Sequence, residues 1–113
     1  MRAALVLVIA SLAACASAPA RLAPAGVVTG VVRQAADGRP VERAVVRVLG
    51  TRLGAQTDSL GRYRIERVPA TGSAFVEAEG VGYYRERRET EVRAGAADTV
   101  DFRVRVRPPR LST

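Results

Sequence analysis

Covalent chemistry in this chain has one candidate, Cys15, the only cysteine in a sequence with no histidine and no lysine. A thiol is the best side-chain nucleophile at neutral pH. Without histidine a serine lacks the base of a hydrolytic triad, and zinc lacks a ligand set. Glu77 and Glu79, and likewise Glu89 and Glu91, stand two apart, so each pair shares one face of an extended strand. Paired carboxylates can do acid–base work, but arginines alternate around these and no cleft is signalled. Asp37 and Asp58 fall in turns that lack the repeated oxygen spacing of a calcium loop. The residues therefore predict no catalytic group, no metal and no cofactor. Noncovalent recognition is what they leave. Stacking on sugar faces needs exposed aromatic rings, and Tyr84 and Phe75 are the candidates, because Tyr63, Tyr83 and Phe102 fall at expected core positions.

The surroundings of Cys15 say what its thiol is for. From Ala3 to Ala14 the residues are Ala, Leu, Val and Ile with one Ser, preceded by Met1-Arg2: an apolar stretch behind a single positive side chain. It is too short to cross a hydrocarbon core of about 30 Å, so it reads as an export signal. Leu12-Ala13-Ala14-Cys15 resembles the lipobox of bacterial lipoproteins, in which the thiol is acylated and the segment before it is removed. The competing reading is an ordinary signal peptide cut after Ala16-Ser17-Ala18, which would discard Cys15. Pro19 would then follow the scissile bond, an awkward position for a residue with fixed φ and no N–H. By resemblance to lipoprotein sorting, the neutral Ala16 favours the outer membrane. The expectation is a signal over residues 1–14, a lipidated Cys15 with a tether over 15–25, and a bacterial envelope location.

The formal net charge is +7, and every basic residue is Arg. A basic chain can seek anionic lipid headgroups or other envelope polyanions, and the guanidinium fork suits phosphate. Yet acidic residues interrupt the basic ones, as in Arg64-Ile65-Glu66-Arg67 and Arg85-Glu86-Arg87-Arg88-Glu89. That mixture reads as a solvated strand face, and with the envelope location it disfavours nucleic acid as a partner.

Between residues 16 and 25 Ala, Ser and Pro dominate, a composition that neither pairs nor packs well. From Gly26 onward short β-branched runs alternate with polar residues and are punctuated by Gly, Pro and Asp about every ten residues. This predicts an all-β sandwich over 26–107, with a C-terminal tail over 108–113. Val28, Gly30 and Val32 are expected inward on one strand, Ala44, Val46 and Val48 on the next, and Tyr63 and Ile65 on a later one. Over Thr99 to Arg107 a single strand is expected, with Val100, Phe102, Val104 and Val106 dry. In the run from Ser73 to Gly80, placing Ala74, Val76 and Ala78 inward keeps Glu77 and Glu79 in water and turns Phe75 outward. The opposite register would bury two carboxylates. Asp37-Gly38, Asp58-Ser59-Leu60-Gly61, Pro69-Ala70-Thr71-Gly72 and Gly95 supply turns.

Gly30-Val31-Val32, Asp37-Gly38-Arg39-Pro40-Val41, Ala44-Val45-Val46-Arg47-Val48, Thr57-Asp58-Ser59-Leu60-Gly61-Arg62-Tyr63 and Val68-Pro69, in that order and spacing and continued by Gly72 and Gly82-Tyr83, resemble a carboxypeptidase regulatory-like domain. The resemblance runs from about Gly26 to Val106. It implies a seven-stranded Greek-key β-sandwich of the transthyretin-like (prealbumin-like) kind, grouped with carbohydrate-binding-like folds, and an accessory rather than catalytic role. Two departures stand out: Arg43 occupies a position where the family often has Gly, and Ala74 one where an aromatic is usual, which leaves Phe75 or Tyr84 to compensate in the core. Leu60 lies in a turn that is usually polar and so reads as an exposed contact. The functional expectation is a noncatalytic lipoprotein whose sandwich binds or scaffolds another envelope protein. The contacts expected for a ligand or partner are Tyr84, Phe75, Leu60, Arg85 and Arg87. The alternative is a carbohydrate-binding module for glycans.

Overall fold

The computed structural model describes residues 24–109. The expected signal, Cys15 and nearly all of the tether lie outside the described residues, as does the end of the tail. Eight strands follow one another, with no helix among the described residues: β1 (Ala25–Gln34), β2 (Val45–Val48), β3 (Gly54–Gln56), β4 (Arg62–Pro69), β5 (Gly72–Glu79), β6 (Glu86–Val92), β7 (Ala97–Thr99) and β8 (Phe102–Val104). They form two sheets, one ordered β4-β1-β7 with β8 also paired to β1, the other ordered β3-β2-β5-β6.

Each sheet turns one face of its alternating strands inward. Val28 and Val32 of β1, Tyr63, Ile65 and Val68 of β4, and Phe102 and Val104 of β8 meet Val46 and Val48 of β2, Val76 and Ala78 of β5 and Val92 of β6 in one apolar cluster. Burying each Val contributes about 1.5–3 kcal/mol, so valine repeated on both faces is the main source of stability. The register expected for β5 holds: Val76 and Ala78 are sealed in the core and Phe75 is turned out. The Asx turns hold as well, since the Asp37 carboxylate accepts the Arg39 N–H and that of Asp58 accepts the N–H groups of Leu60 and Arg62.

Strict alternation fails in β4. Gly26 pairs with Val68 but Val28 pairs with Ile65, so two residues of β1 face three of β4. The bulge falls at Glu66-Arg67, where Arg67 takes φ 59°, and it returns Val68 to the face that Ile65 already occupies.

Four expectations are corrected. The sandwich has eight strands rather than seven, because the expected strand from Thr99 to Arg107 is broken. Both halves run parallel to β1, Thr99 opposite Thr29 and Phe102 opposite Val32. Between them the Asp101 carboxylate, not a backbone carbonyl, accepts the Val31 N–H at 3.0 Å. Val106 is exposed rather than dry: beyond Val104 the chain leaves the sheet and pairs with the loop 80–85, through Tyr84 N–H to Arg105 carbonyl and Arg107 N–H to Gly82 carbonyl. Tyr83 is only half-buried at the edge of the core. Neither Phe75 nor Tyr84 compensates for Ala74, for both are exposed and Ala74 is itself only half-buried.

The sandwich has two unlike ends. At one, the Pro24 carbonyl accepts the Ala70 N–H and the Ala25 carbonyl accepts the Gly95 N–H, so the chain enters beside the turns 69–72 and 93–96. β5 then runs its eight residues to the opposite end, about 23 Å away at strand rise, where the loop 80–85 begins.

Candidate functional site

The outer face of the second sheet gathers the charges that alternation places there. Arg47 of β2 pairs across to Glu77 of β5, which pairs across to Arg87 of β6. Their side chains interlock: Arg47 reaches Glu79 at 3.4 Å, Arg87 reaches Glu77 at 3.5 Å, and Arg85 reaches Glu79 at 3.3 Å and Glu77 at 3.7 Å. Glu77 and Glu79 do share a face, but each carboxylate is answered by guanidinium groups. Exposed ion pairs of this kind contribute about 0–1 kcal/mol each, and their main effect is to neutralise the middle of the sheet. Among the described residues, no group of three or more His, Cys, Asp or Glu side chains comes together to hold a metal ion.

Beyond Glu79 the charge balance changes. The last residues of β5, the loop 80–85, the segment before β2 and the chain after β8 enclose an open concavity of about 850 Å³. Five arginines line it, Arg43, Arg47, Arg85, Arg105 and Arg107, against one carboxylate, Glu79, with Tyr83 and Tyr84 between them. Arg47 and Arg85 are occupied by the ladder of ion pairs. Arg43, Arg105 and Arg107 make no ion pair among the described residues.

Backbone contacts position all three. The segment 41–44 is clamped on Thr57, the one buried polar side chain among the described residues. Its hydroxyl donates to the Val41 carbonyl at 2.6 Å and accepts the Ala44 N–H at 2.9 Å, while its own N–H and carbonyl bond to Ala44 and Arg43. Inside this clamp Arg43 is forced to φ 63°, a left-handed conformation that costs a side chain about 1–2 kcal/mol. Arg105 and Arg107 are set by their backbone bonds to the loop 80–85, and the Arg105 guanidinium lies 5.5 Å from the Tyr84 ring centre, in cation–π range. Val81 at the loop tip is fully exposed and lines the concavity, whereas Val106, more than half exposed, faces a depression on the other side of Tyr84. This second open depression, of about 1100 Å³, adjoins the concavity across Tyr84 and reaches Pro108 and Pro109.

Of the contacts expected from sequence, Tyr84 and Arg85 come together in the concavity, and Arg87 stands on the adjoining ion-pair ladder. Phe75 lies apart, in the middle of the outer face opposite Glu89, so the two exposed rings form no joint platform. Leu60 is exposed on the turn before β4, outside the concavity lining. Cys15 lies outside the described residues. Sequence reasoning missed Arg43, Arg105, Arg107 and Val81. The one available signal was Arg43, an arginine at a position where glycine is expected.

Known structures share the architecture. The chain is similar to the Bacillus anthracis TIE protein at 17% identity and TM-score 0.61, covering 74% of this chain and 17% of that one. It is similar to a chain in a type II cohesin-X-dockerin complex from Acetivibrio cellulolyticus at 22% identity and TM-score 0.54, covering 68% and 52%. A putative carbohydrate binding protein from Bacteroides uniformis aligns at 23% identity and TM-score 0.53, covering 72% and 41%. In each case this chain spans only part of the other, and at these identities the likeness establishes the fold alone. No curated protein matches the chain. The family model of the carboxypeptidase regulatory-like domain matches residues 27–105, from β1 through the last strand to the edge of the concavity. With the two-sheet core and the turn chemistry that its motifs require, the chain belongs to the carboxypeptidase regulatory-like domain family.

Proposed function

We propose that this protein is a noncatalytic binding module, held at the bacterial envelope by a lipid on Cys15 and presenting its sandwich to another envelope protein. The observation that carries this reading is the polarity of the domain. The chain enters at the end marked by Ala70 and Gly95, and the concavity with its exposed Val81 and Tyr84 opens at the other. A module anchored at one end and recognising at the other needs this layout. The family is a regulatory one rather than a catalytic one, and one of the structural neighbours comes from a protein–protein complex. The edge strand β6 carries Glu86, Arg87, Arg88, Glu89 and Glu91, charges that resist indiscriminate strand pairing and favour recognition through the end.

Two measurements test the reading. Metabolic labelling with an alkyne fatty acid should mark the protein in the membrane fraction, and Cys15→Ser should lose both the label and the fractionation. An unlabelled protein released in soluble form would overturn the anchor. A photo-crosslinking residue at Val81 should capture one discrete protein band in intact cells, and the same residue at Thr71, at the opposite end, should not. Equal capture at both positions would overturn the directed surface.

The second reading, a carbohydrate-binding module, is favoured by one observation: Tyr84 is 43% exposed at the concavity. Phe75→Ala and Tyr84→Ala should then abolish retention on envelope glycans, and unchanged retention counts against it.

A further inference from the structure

We propose that the concavity at the loop 80–85 docks an acidic stretch of polypeptide, carboxylates seated on Arg43, Arg105 and Arg107 and an aliphatic side chain against Val81. This deepens, and rests on, the reading of the protein as a module that binds another protein.

Charge is the first argument. The concavity places three guanidinium groups without an ion pair among the described residues beside two more that Glu77 and Glu79 already engage. Along the strands of the same face arginine and glutamate cancel, and other arginines without an ion pair among the described residues, such as Arg52, Arg62 and Arg103, do not line this concavity. A guanidinium fork takes a carboxylate through two parallel hydrogen bonds, which fixes orientation as well as sign.

Backbone strain is the second. Arg43 holds φ 63° while its side chain forms neither an ion pair nor a hydrogen bond among the described residues. Glycine would sit there without strain, so the arginine stands against the local conformational preference, and strain of this sort gathers at ligand clamps and other functional sites. Arg67, the other non-glycine residue at positive φ among the described residues, is accounted for by the bulge that returns Val68 to the core.

The apolar border decides between partners. An acidic polysaccharide offers charge without aliphatic groups, whereas Val81 is fully exposed beside the arginines, and a concave rather than flat or protruding surface suits a polypeptide segment over a bilayer. Tyrosine and arginine around exposed aliphatic groups is the composition of a protein-binding patch.

The test uses the purified native protein in detergent and a short fluorescein-labelled polyglutamate peptide read by fluorescence polarisation. Binding should weaken with added salt, since exposed charges are screened. The variant Arg43→Gly with Arg105→Gln and Arg107→Gln should lose at least about tenfold in affinity. A control that removes the same charge elsewhere, Arg52→Gln with Arg62→Gln and Arg103→Gln, should retain it. Arg43→Gly alone should weaken binding while leaving the melting temperature unchanged or higher, which separates loss of contact from loss of fold. Equal losses in the two triple variants would overturn the proposal by showing that net charge alone drives binding. So would tighter binding of hyaluronate or of phosphatidylglycerol vesicles than of polyglutamate. Because the assay does not depend on the lipid, failure of the Cys15 labelling experiment would leave its outcome intact, and the converse also holds.

Discussion

Replacing Gly30 by alanine should cost this domain a large fraction of its stability. Gly30 lies in the middle of β1, opposite Tyr63 of β4 on one side and beside the break between β7 and β8 on the other. At that break the Val100 carbonyl leans over Gly30 and accepts the hydrogen bond of the buried Tyr63 hydroxyl. A Cβ on residue 30 would overlap the Val100 carbonyl oxygen, and it would lie 2.7 Å from the Val100 carbonyl carbon and 2.8 Å from the Tyr63 hydroxyl. One obstacle is backbone, and the other is a ring tilted against Phe102 with 6.2 Å between centroids, so neither can yield cheaply. Overpacking of this kind costs about 1–3 kcal/mol, and displacing the hydroxyl from a buried carbonyl costs about 1–3 kcal/mol more. The expected loss is therefore about 4 kcal/mol. A domain of this size has a total stability of about 4–13 kcal/mol, so the loss is a large fraction of it. In thermal unfolding it corresponds to a drop of roughly 16–32 °C. Urea titration followed by far-ultraviolet circular dichroism measures it. Tyr63→Phe alone should cost about 1–2 kcal/mol, and the double variant should cost less than the sum of the two, because the missing hydroxyl makes room for the methyl group. A Gly30→Ala protein within about 0.5 kcal/mol of the parent would refute the reasoning, and strict additivity in the double variant would remove the shared Val100 carbonyl as its cause.

Two further predictions concern the polar groups of the fold. Thr57→Val keeps the shape but leaves the Val41 carbonyl and the Ala44 N–H without partners, so it should cost about 2–4 kcal/mol and speed hydrogen exchange at Arg43 and Ala44, whereas Thr57→Ser should cost clearly less. Burial, and secondarily the charge of Asp101, push the Tyr63 phenol above its ordinary value near 10. The unfolded chain then loses that proton first. Stability is full below about pH 10 and falls by about 1.4 kcal/mol per pH unit above it, and Tyr63→Phe should flatten that decline in alkaline denaturation curves.

Valine alternation, turn chemistry and charge bookkeeping are local properties, and they make the sandwich, the outward Phe75 and the Asx turns legible in the residues alone. They also put Glu77 and Glu79 on one face, since residues two apart share it, but that Arg85 and Arg87 answer them across the strands depends on the register of β5 with β6. The β4 bulge is not legible, because one extra residue changes a strand's facing without changing its composition. The split of the last strand is hidden for a related reason: Asp101 reads as an outward residue of an unbroken strand until its carboxylate is seen holding the Val31 N–H. Arg43 announces itself only as an arginine where glycine is expected, and its left-handed conformation depends on a clamp supplied by Thr57, fourteen positions away.

What the sequence by itself determined is the inward face of most strands, where the chain turns, and that histidine and lysine chemistry is absent. Only the tertiary structure decided that Arg43, Arg105 and Arg107 meet at one end of the sandwich, opposite the end where the chain enters. The physical reason is that periodicity assigns a side chain to a face, whereas a surface site is assembled by contacts between segments far apart along the chain, and no local preference encodes those.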